Sequence, residues 1–151
     1  MIASLQAMKS SALKPRLEHG QSIKIIGLGG VGGIVARYGC VFLSSLGVDT
    51  RVVFIDGDKF ETANATRMLF STSGNKAEVL RADLLKHFVD SRLAISAIDQ
   101  FITPENIGQL IREGDIVILT VDNHATRKLV SDFCARGGDT DGAAGGVAGG
   151  D

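Results

Sequence analysis

Short apolar runs alternate along this chain with segments of helical period, the pattern of a parallel sheet covered by helices. Ile23–Ile26 (IKII) reads as a first strand. From Val31 the apolar positions Val31, Ile34, Val35, Tyr38, Val41, Phe42 and Leu46 lie close to one helical stripe, and Gly47 supplies a C-terminal cap. Arg51–Ile55 (RVVFI) is the second strand, ending at Asp56. Helix period returns with Ala77, Leu80, Leu84 and Phe88, and then comes a third strand at Leu93–Ile98 (LAISAI). Thr103-Pro104 opens a short helix whose buried edge is Ile107, Leu110 and Ile111. Ile116–Val121 (IVILTV) is apolar enough to be a strand covered on both faces, and a last helix turns Ala125, Leu129 and Phe133 inward. The expected fold is therefore α/β, a Rossmann-like, doubly wound and mainly parallel sheet.

Two stretches break the pattern. The first, DGDKFETANATRMLFSTSGN after the second strand, has no clear period, and a loop of about twenty residues usually has a function. The second is the tail from Gly137 to Asp151, where seven of fifteen residues are glycine. It reads either as a flexible linker or as short ordered pieces of a longer protein written without their connections. A doubly wound sheet would continue with more strands here, which favours the second reading. The division is thus an N-terminal segment at 1–20, a nucleotide-binding domain at 21–136 and the glycine-rich tail at 137–151.

Composition narrows the function by exclusion. The 151 residues carry a formal net charge of -1 and no Lys/Arg cluster interleaved with aromatics, so a nucleic-acid-binding surface is not expected. No apolar run approaches the ~20 residues that span a bilayer, and MIASLQAMKSSALKPR lacks the apolar core of a signal peptide. Cys40 and Cys134 stand alone, outside any CxxC pair, and both read as packed thiols. His19, His87 and His124 fall in separate elements and form no ligand set. A cytoplasmic enzyme or binding domain is the expectation.

The chemistry is concentrated at the ends of the strands. Gly27-x-Gly29-x-x-Gly32 follows a strand and opens a helix, the setting in which backbone amides and a helix N-terminus cradle phosphate. Asp56, at the end of the second strand, suits ribose hydroxyls. Up to this point an NAD(P)-dependent oxidoreductase fits equally well. The loop breaks the tie: Asn64, Arg67 and Lys76 bring an amide, a guanidinium and an ammonium toward the mouth of the glycine turn, where an NAD site would need only one acid. Arg67 and Lys76 suit the negative charge of a triphosphate and of the state formed when a carboxylate attacks it. Asp122, at the tip of the fourth strand, suits a magnesium ion bridging phosphate oxygens.

In GLGGVG, D-x-D…N-x-x-R, the later Lys and TVDN, the chain resembles the ThiF/MoeB/ubiquitin-activating enzyme family of adenylyltransferases, over about Ile23 to Gly137. The resemblance implies that Gly30 and its neighbouring amides contact ATP phosphates and that Asp56 meets the ribose. It implies that Asn64, Arg67 and Lys76 bind the triphosphate, that Asp122 holds Mg2+, and that Asn123 lies beside the nucleotide. The reaction implied is attack by the C-terminal carboxylate of a ubiquitin-like or sulfur-carrier protein, ending in Gly-Gly, on the α-phosphate of ATP, within a homodimer. The chain would then be an incomplete portion of the family's adenylation domain. Departures are visible too. Arg16 does not match the family's N-terminal arginine, the segment between Arg67 and Lys76 is short, and zinc-binding CxxC pairs do not occur in these residues. A non-catalytic nucleotide-binding partner subunit is the alternative outside enzymology.

Overall fold

In the computed structural model the described residues are 21–65 and 69–137. Four strands, β1 (Ile23–Ile26), β2 (Thr50–Ile55), β5 (Leu93–Ile98) and β6 (Ile116–Leu119), form one sheet in the order β5-β2-β1-β6. All three pairings are parallel, as crossover connections through helices require. The register sets Ile23 beside Val52 and Ile116, and Val52 beside Ile95, so one row of β-branched side chains crosses the sheet.

Helices cover both faces. Against one lie α1 (Gly30–Ser45) and α2 (Lys76–Leu85), enclosing Ile25, Leu28, Val52, Phe54 and Leu80. Against the other lie α3 (Ile107–Leu110) and α4 (His124–Ala135), which enclose Ile26, Val53, Ile55, Ile107 and Val130. This is the doubly wound arrangement that alternating apolar runs and helical segments demand. The strand order reverses between β1 and β6, and in such sheets ligands bind beyond the carboxyl ends of the strands at that reversal.

Several elements differ in detail from what the periodicity implies. The stripe on α1 faces solvent: the buried positions are Gly32, Gly33, Ala36, Cys40 and Leu43, while Val31, Ile34, Tyr38, Val41 and Phe42 are exposed. Small residues line the inner side, so the larger ones are left outside. Strand β6 packs Ile118 against one core and Val117 and Leu119 against the other, but less tightly than a central strand. It ends the sheet among the described residues, and Ile116 is 42% exposed. The turn at Thr103 is closed by the amides of Asn106 and Ile107 on the Thr103 carbonyl, and regular helix starts only at Ile107. In α4, Val130 takes the buried place, whereas Ala125 is exposed. Cys40 is packed, but Cys134 is exposed on the last turn of α4.

The long loop after β2 has structure of its own. Lys59–Phe60 (β3) pairs antiparallel with Gly74–Asn75 (β4), and Thr62–Asn64 forms a single 3-10 turn. The N-terminal segment and residues 138–151 lie outside the described residues, as does Arg67.

Candidate nucleotide site

The glycine turn is shaped by contacts that a side chain would destroy. Gly27 has φ of 89°, a conformation that favours glycine, and its amide donates to the Ile55 carbonyl at 3.0 Å. A Cβ on Gly32 would collide with the Gly27 carbonyl oxygen and the Thr120 hydroxyl, so the third glycine of the motif serves close helix-to-strand packing. Gly29 is different: a Cβ there would meet nothing within 4 Å. No internal packing demands a glycine at that position. What its bareness provides is room for something outside the chain.

Asp56 ties this turn to β2. Its carboxylate accepts the buried Leu28 amide at 2.6 Å and the Asp58 amide at 2.8 Å. Leaving the Leu28 amide without an acceptor would cost about 1–3 kcal/mol. Asp56 therefore orders the loop as well as lining the cleft.

Asn75 organises the other wall. Its amide nitrogen donates to the Asp56 and Asp58 carbonyls and to the Asp99 carboxylate, at 2.7, 3.1 and 2.6 Å. Its oxygen caps α2 by accepting the Glu78 amide at 3.0 Å. That cap fixes the start of α2 and with it Lys76, the first helical residue. Lys76 is only 5% exposed, and its ammonium is bonded to the Asp58 carboxylate. The hydrogen bond from Lys76 holds the Asp58 carboxyl below the usual carboxylate range.

These groups meet in one cleft of about 660 Å³ beyond the carboxyl ends of the strands. Gly27, Gly29, Gly30 and Val31 form its floor, with Asp56, Asp58 and Lys76 on one side and Thr120, Val121, Asp122, Asn123 and Thr126 on the other. Gln100, Phe101 and Ile102 complete the wall beyond β5, and Phe101 is 63% exposed. Asp122 is exposed in the cleft and enters no ion pair or hydrogen bond among the described residues. No group of three or more His, Cys, Asp and Glu side chains is placed to hold a metal among the described residues. An ion here would rest on one carboxylate together with ligand oxygens, the usual habit of Mg2+ at phosphates. Asn123 caps α4, accepting the Ala125 amide at 2.8 Å and the Thr126 amide at 3.3 Å, so its side-chain NH2 alone is left for a ligand.

Most residues singled out from the sequence are thus brought together: Gly27, Gly29, Gly30, Asp56, Lys76, Asp122 and Asn123 all line the cleft. Gly32 acts from behind it. Asn64 closes the 3-10 turn of the loop, and Arg67 lies outside the described residues. The sequence reading missed Asn75 and Phe101 and gave no role to Asp58, the second acid of its D-x-D motif. An asparagine directly before a helix start was the available signal for the first.

A glycine turn at the reversal of strand order, an acid on the neighbouring strand and an internal lysine define an α/β nucleotide-binding domain. The chain belongs to the ThiF family, whose model matches residues 4–150. It is 34% identical over 115 residues to the adenylyltransferase and sulfurtransferase MOCS3 of Dictyostelium discoideum, covering 75% of this chain and 26% of that protein. It is 25% identical over 114 residues to protein HesA of Leptolyngbya boryana, covering 74% of this chain and 39% of HesA. Among solved structures, the tRNA N6-threonylcarbamoyladenosine dehydratase TcdA of E. coli in complex with AMP superposes with a TM-score of 0.66 at 25% identity. That match covers 89% of this chain and 52% of TcdA. E. coli MccB with ATP matches at 0.62 and 25% identity, over 86% of this chain and 36% of MccB. The chain spans between a quarter and about half of the length of these proteins. Among the described residues no helix is long and apolar enough to cross a membrane.

Proposed function

We propose that this chain is the nucleotide-binding portion of an ATP-dependent adenylyltransferase that activates the C-terminal carboxylate of a ubiquitin-like or sulfur-carrier protein ending in Gly-Gly. The observation that carries the reading is Lys76. A lysine 5% exposed that lines the same cleft as Gly29 is costly to bury unless its ammonium has anionic partners, and Asp58 supplies only one. A triphosphate supplies the rest. The names of MOCS3 as an adenylyltransferase and of the nucleotide-bound neighbours support the same choice.

In this reading the ATP phosphates lie over Gly29 and Gly30, at the N-terminus of α1, and Asp56 meets the ribose. A carboxylate oxygen of the carrier attacks the α-phosphorus, and the bond from that phosphorus to the bridging oxygen of the β-phosphate breaks. Pyrophosphate leaves and an acyl-adenylate remains. Asn64, Arg67 and Lys76 bind the triphosphate, and the positive charges of Arg67 and Lys76 offset the charge that builds on the phosphates. Asp122 would hold Mg2+, whose positive charge offsets that of the triphosphate.

A carrier protein is preferred over RNA as the acceptor, although TcdA is named for a tRNA nucleoside. The chain's net charge of -1 offers little attraction to a polyanion. The test is ATP–pyrophosphate exchange by the full-length protein with a carrier ending in Gly-Gly. Carrier-dependent exchange is expected. ATP binding without exchange would identify a non-catalytic partner subunit, and preference for NADH would identify an oxidoreductase; either would end the proposal.

A further inference from the structure

Two neighbouring strands supply facing parts of the cleft. Strand β1 runs into the glycine turn, and β6 runs into Val121, Asp122 and Asn123. The Thr120 amide donates to the Ile26 carbonyl at 2.9 Å, and among the described residues no backbone bond joins the two segments further on. From there a side chain makes the connection. The Thr120 hydroxyl lies 3.1 Å from the Ile26 carbonyl oxygen and donates to the Gly27 carbonyl, the shorter of the two contacts. In the run Ile116–Val121 (IVILTV) threonine is the one polar residue, and packing alone would be served by valine.

Gly27 is thereby held on both flanks. Its amide donates to the Ile55 carbonyl of β2 at 3.0 Å, and its carbonyl accepts from Thr120. That carbonyl also abuts the first turn of α1, where a Cβ on Gly32 would strike both it and the Thr120 hydroxyl. The setting of the Gly27 peptide is passed on to Gly29, the N-cap of α1, and to Gly30. On the other side Thr120 stands two residues before Asp122. Val121, between them, packs so closely on Gly27 that a Cβ there would meet its backbone nitrogen and Cγ1. Asp122 makes no hydrogen bond of its own to the turn among the described residues. Its place relative to Gly29 and Gly30 therefore depends on Thr120.

We propose that Thr120 is a positioning residue whose hydroxyl sets the separation between the amides of Gly29 and Gly30 and the carboxylate of Asp122, so that a metal-bound polyphosphate meets both at once. The inference rests on the proposed function, in which phosphates lie over Gly29 and Gly30 and Asp122 holds Mg2+. Thr120 acts through Gly27 on one side and Asp122 on the other. A nucleoside needs neither group, and free phosphates need only the turn. Only the metal-bound form needs turn and carboxylate at a fixed spacing, so the hydroxyl bears on that form selectively.

The test is calorimetric titration of the full-length wild type, Thr120→Val and Thr120→Ser with adenosine, metal-free ATP and Mg·ATP. Thr120→Val keeps the side-chain shape and removes the donor, whereas Thr120→Ser keeps the donor. Wild type should bind Mg·ATP more tightly than metal-free ATP. Thr120→Val should weaken Mg·ATP by ~10-fold or more, as loss of a group that orients a metal ligand from behind commonly does, with adenosine binding unchanged. Thr120→Ser should bind like wild type. In an Asp122→Asn background Thr120→Val should cause no further loss, because the carboxylate it positions is gone. Without any ligand, Thr120→Val should speed hydrogen exchange of the amides in 27–30 and 120–123 together, and Thr120→Ser should not. A wild type that gains nothing from Mg2+ would overturn the proposed function and this role with it. A wild type that gains, matched by Thr120→Val, would overturn the role of Thr120 alone. So would equal losses for adenosine and Mg·ATP, losses additive with Asp122→Asn, or unchanged exchange.

Discussion

The ammonium of Lys76 and the carboxylate of Asp58 form an ion pair within the cleft, one partner almost wholly buried and the other more than half exposed. The asymmetry suits a lysine that exchanges partners. In the proposed reading, Asp58 holds it in place until ligand phosphates compete for it. Replacing Asp58 with asparagine keeps the shape and removes the anion. Asp58→Asn should therefore lower the melting temperature at neutral pH while tightening triphosphate binding relative to monophosphate, as read by calorimetric titration. A variant that binds ATP more weakly, with AMP binding unchanged, would contradict the exchange.

The same pair has a pH signature. Because Lys76 holds the Asp58 carboxyl below its usual range, the contribution of the pair is fully present above the unfolded carboxylate value, about 3.9. It is lost as pH falls through the lower, folded value. The difference in melting temperature between wild type and Asp58→Asn should be constant from neutrality down to about pH 5 and shrink toward zero below about pH 4. A difference that disappears between pH 6 and 7 would place its origin elsewhere.

Gly29 and Gly32 look alike in the motif and should behave oppositely. At Gly32 a methyl group runs into backbone, so Gly32→Ala should destabilise the fold by about 1–3 kcal/mol in denaturant unfolding. At Gly29 φ is -64° and the surroundings are open, so Gly29→Ala should leave stability within about 0.5 kcal/mol. The cost should appear in nucleotide affinity, because the phosphates are proposed to lie over Gly29. Equal losses of stability in both variants would show that the motif serves packing only.

Asp122 has no bonding role within the described fold, so its presence at the cleft is open to a functional reading. Asp122→Ala should unfold like wild type yet slow adenylation by ~10²-fold or more, and Arg67→Ala should do likewise. Raising Mg2+ should recover part of the loss in the Asp122 variant only. Wild-type rates of pyrophosphate release from both would remove these residues from the mechanism.

Much of this was legible in the sequence because the informative residues are local. The strand, glycine turn and helix from Ile23 to Ser45 announce themselves in order, and Lys76 stands at a helix start. Which side of α1 faces the sheet was not legible. Periodicity finds a stripe of large apolar residues, and only the fold shows that small residues pack the inner side. Strand β6 carries the composition of a central strand yet ends the sheet among the described residues, because a strand's neighbours in a sheet are set by other segments and not by its own residues. Asn75 was hidden for another reason. Its bonds reach Asp56 and Asp99, residues 19 and 24 positions away, and no spacing rule foretells such long-range contacts.

The central claim, that the cleft grips the phosphate end of ATP through Lys76, is tested most directly by nucleotide affinity in wild type and Lys76→Ala. Titrations of Mg·ATP, AMP and NADH against each should show ATP binding at least ~10-fold weaker in the variant, AMP little changed, and NADH a poor competitor in both. Equal ATP affinity in the two proteins, or displacement of ATP by NADH at matched concentration, would contradict it.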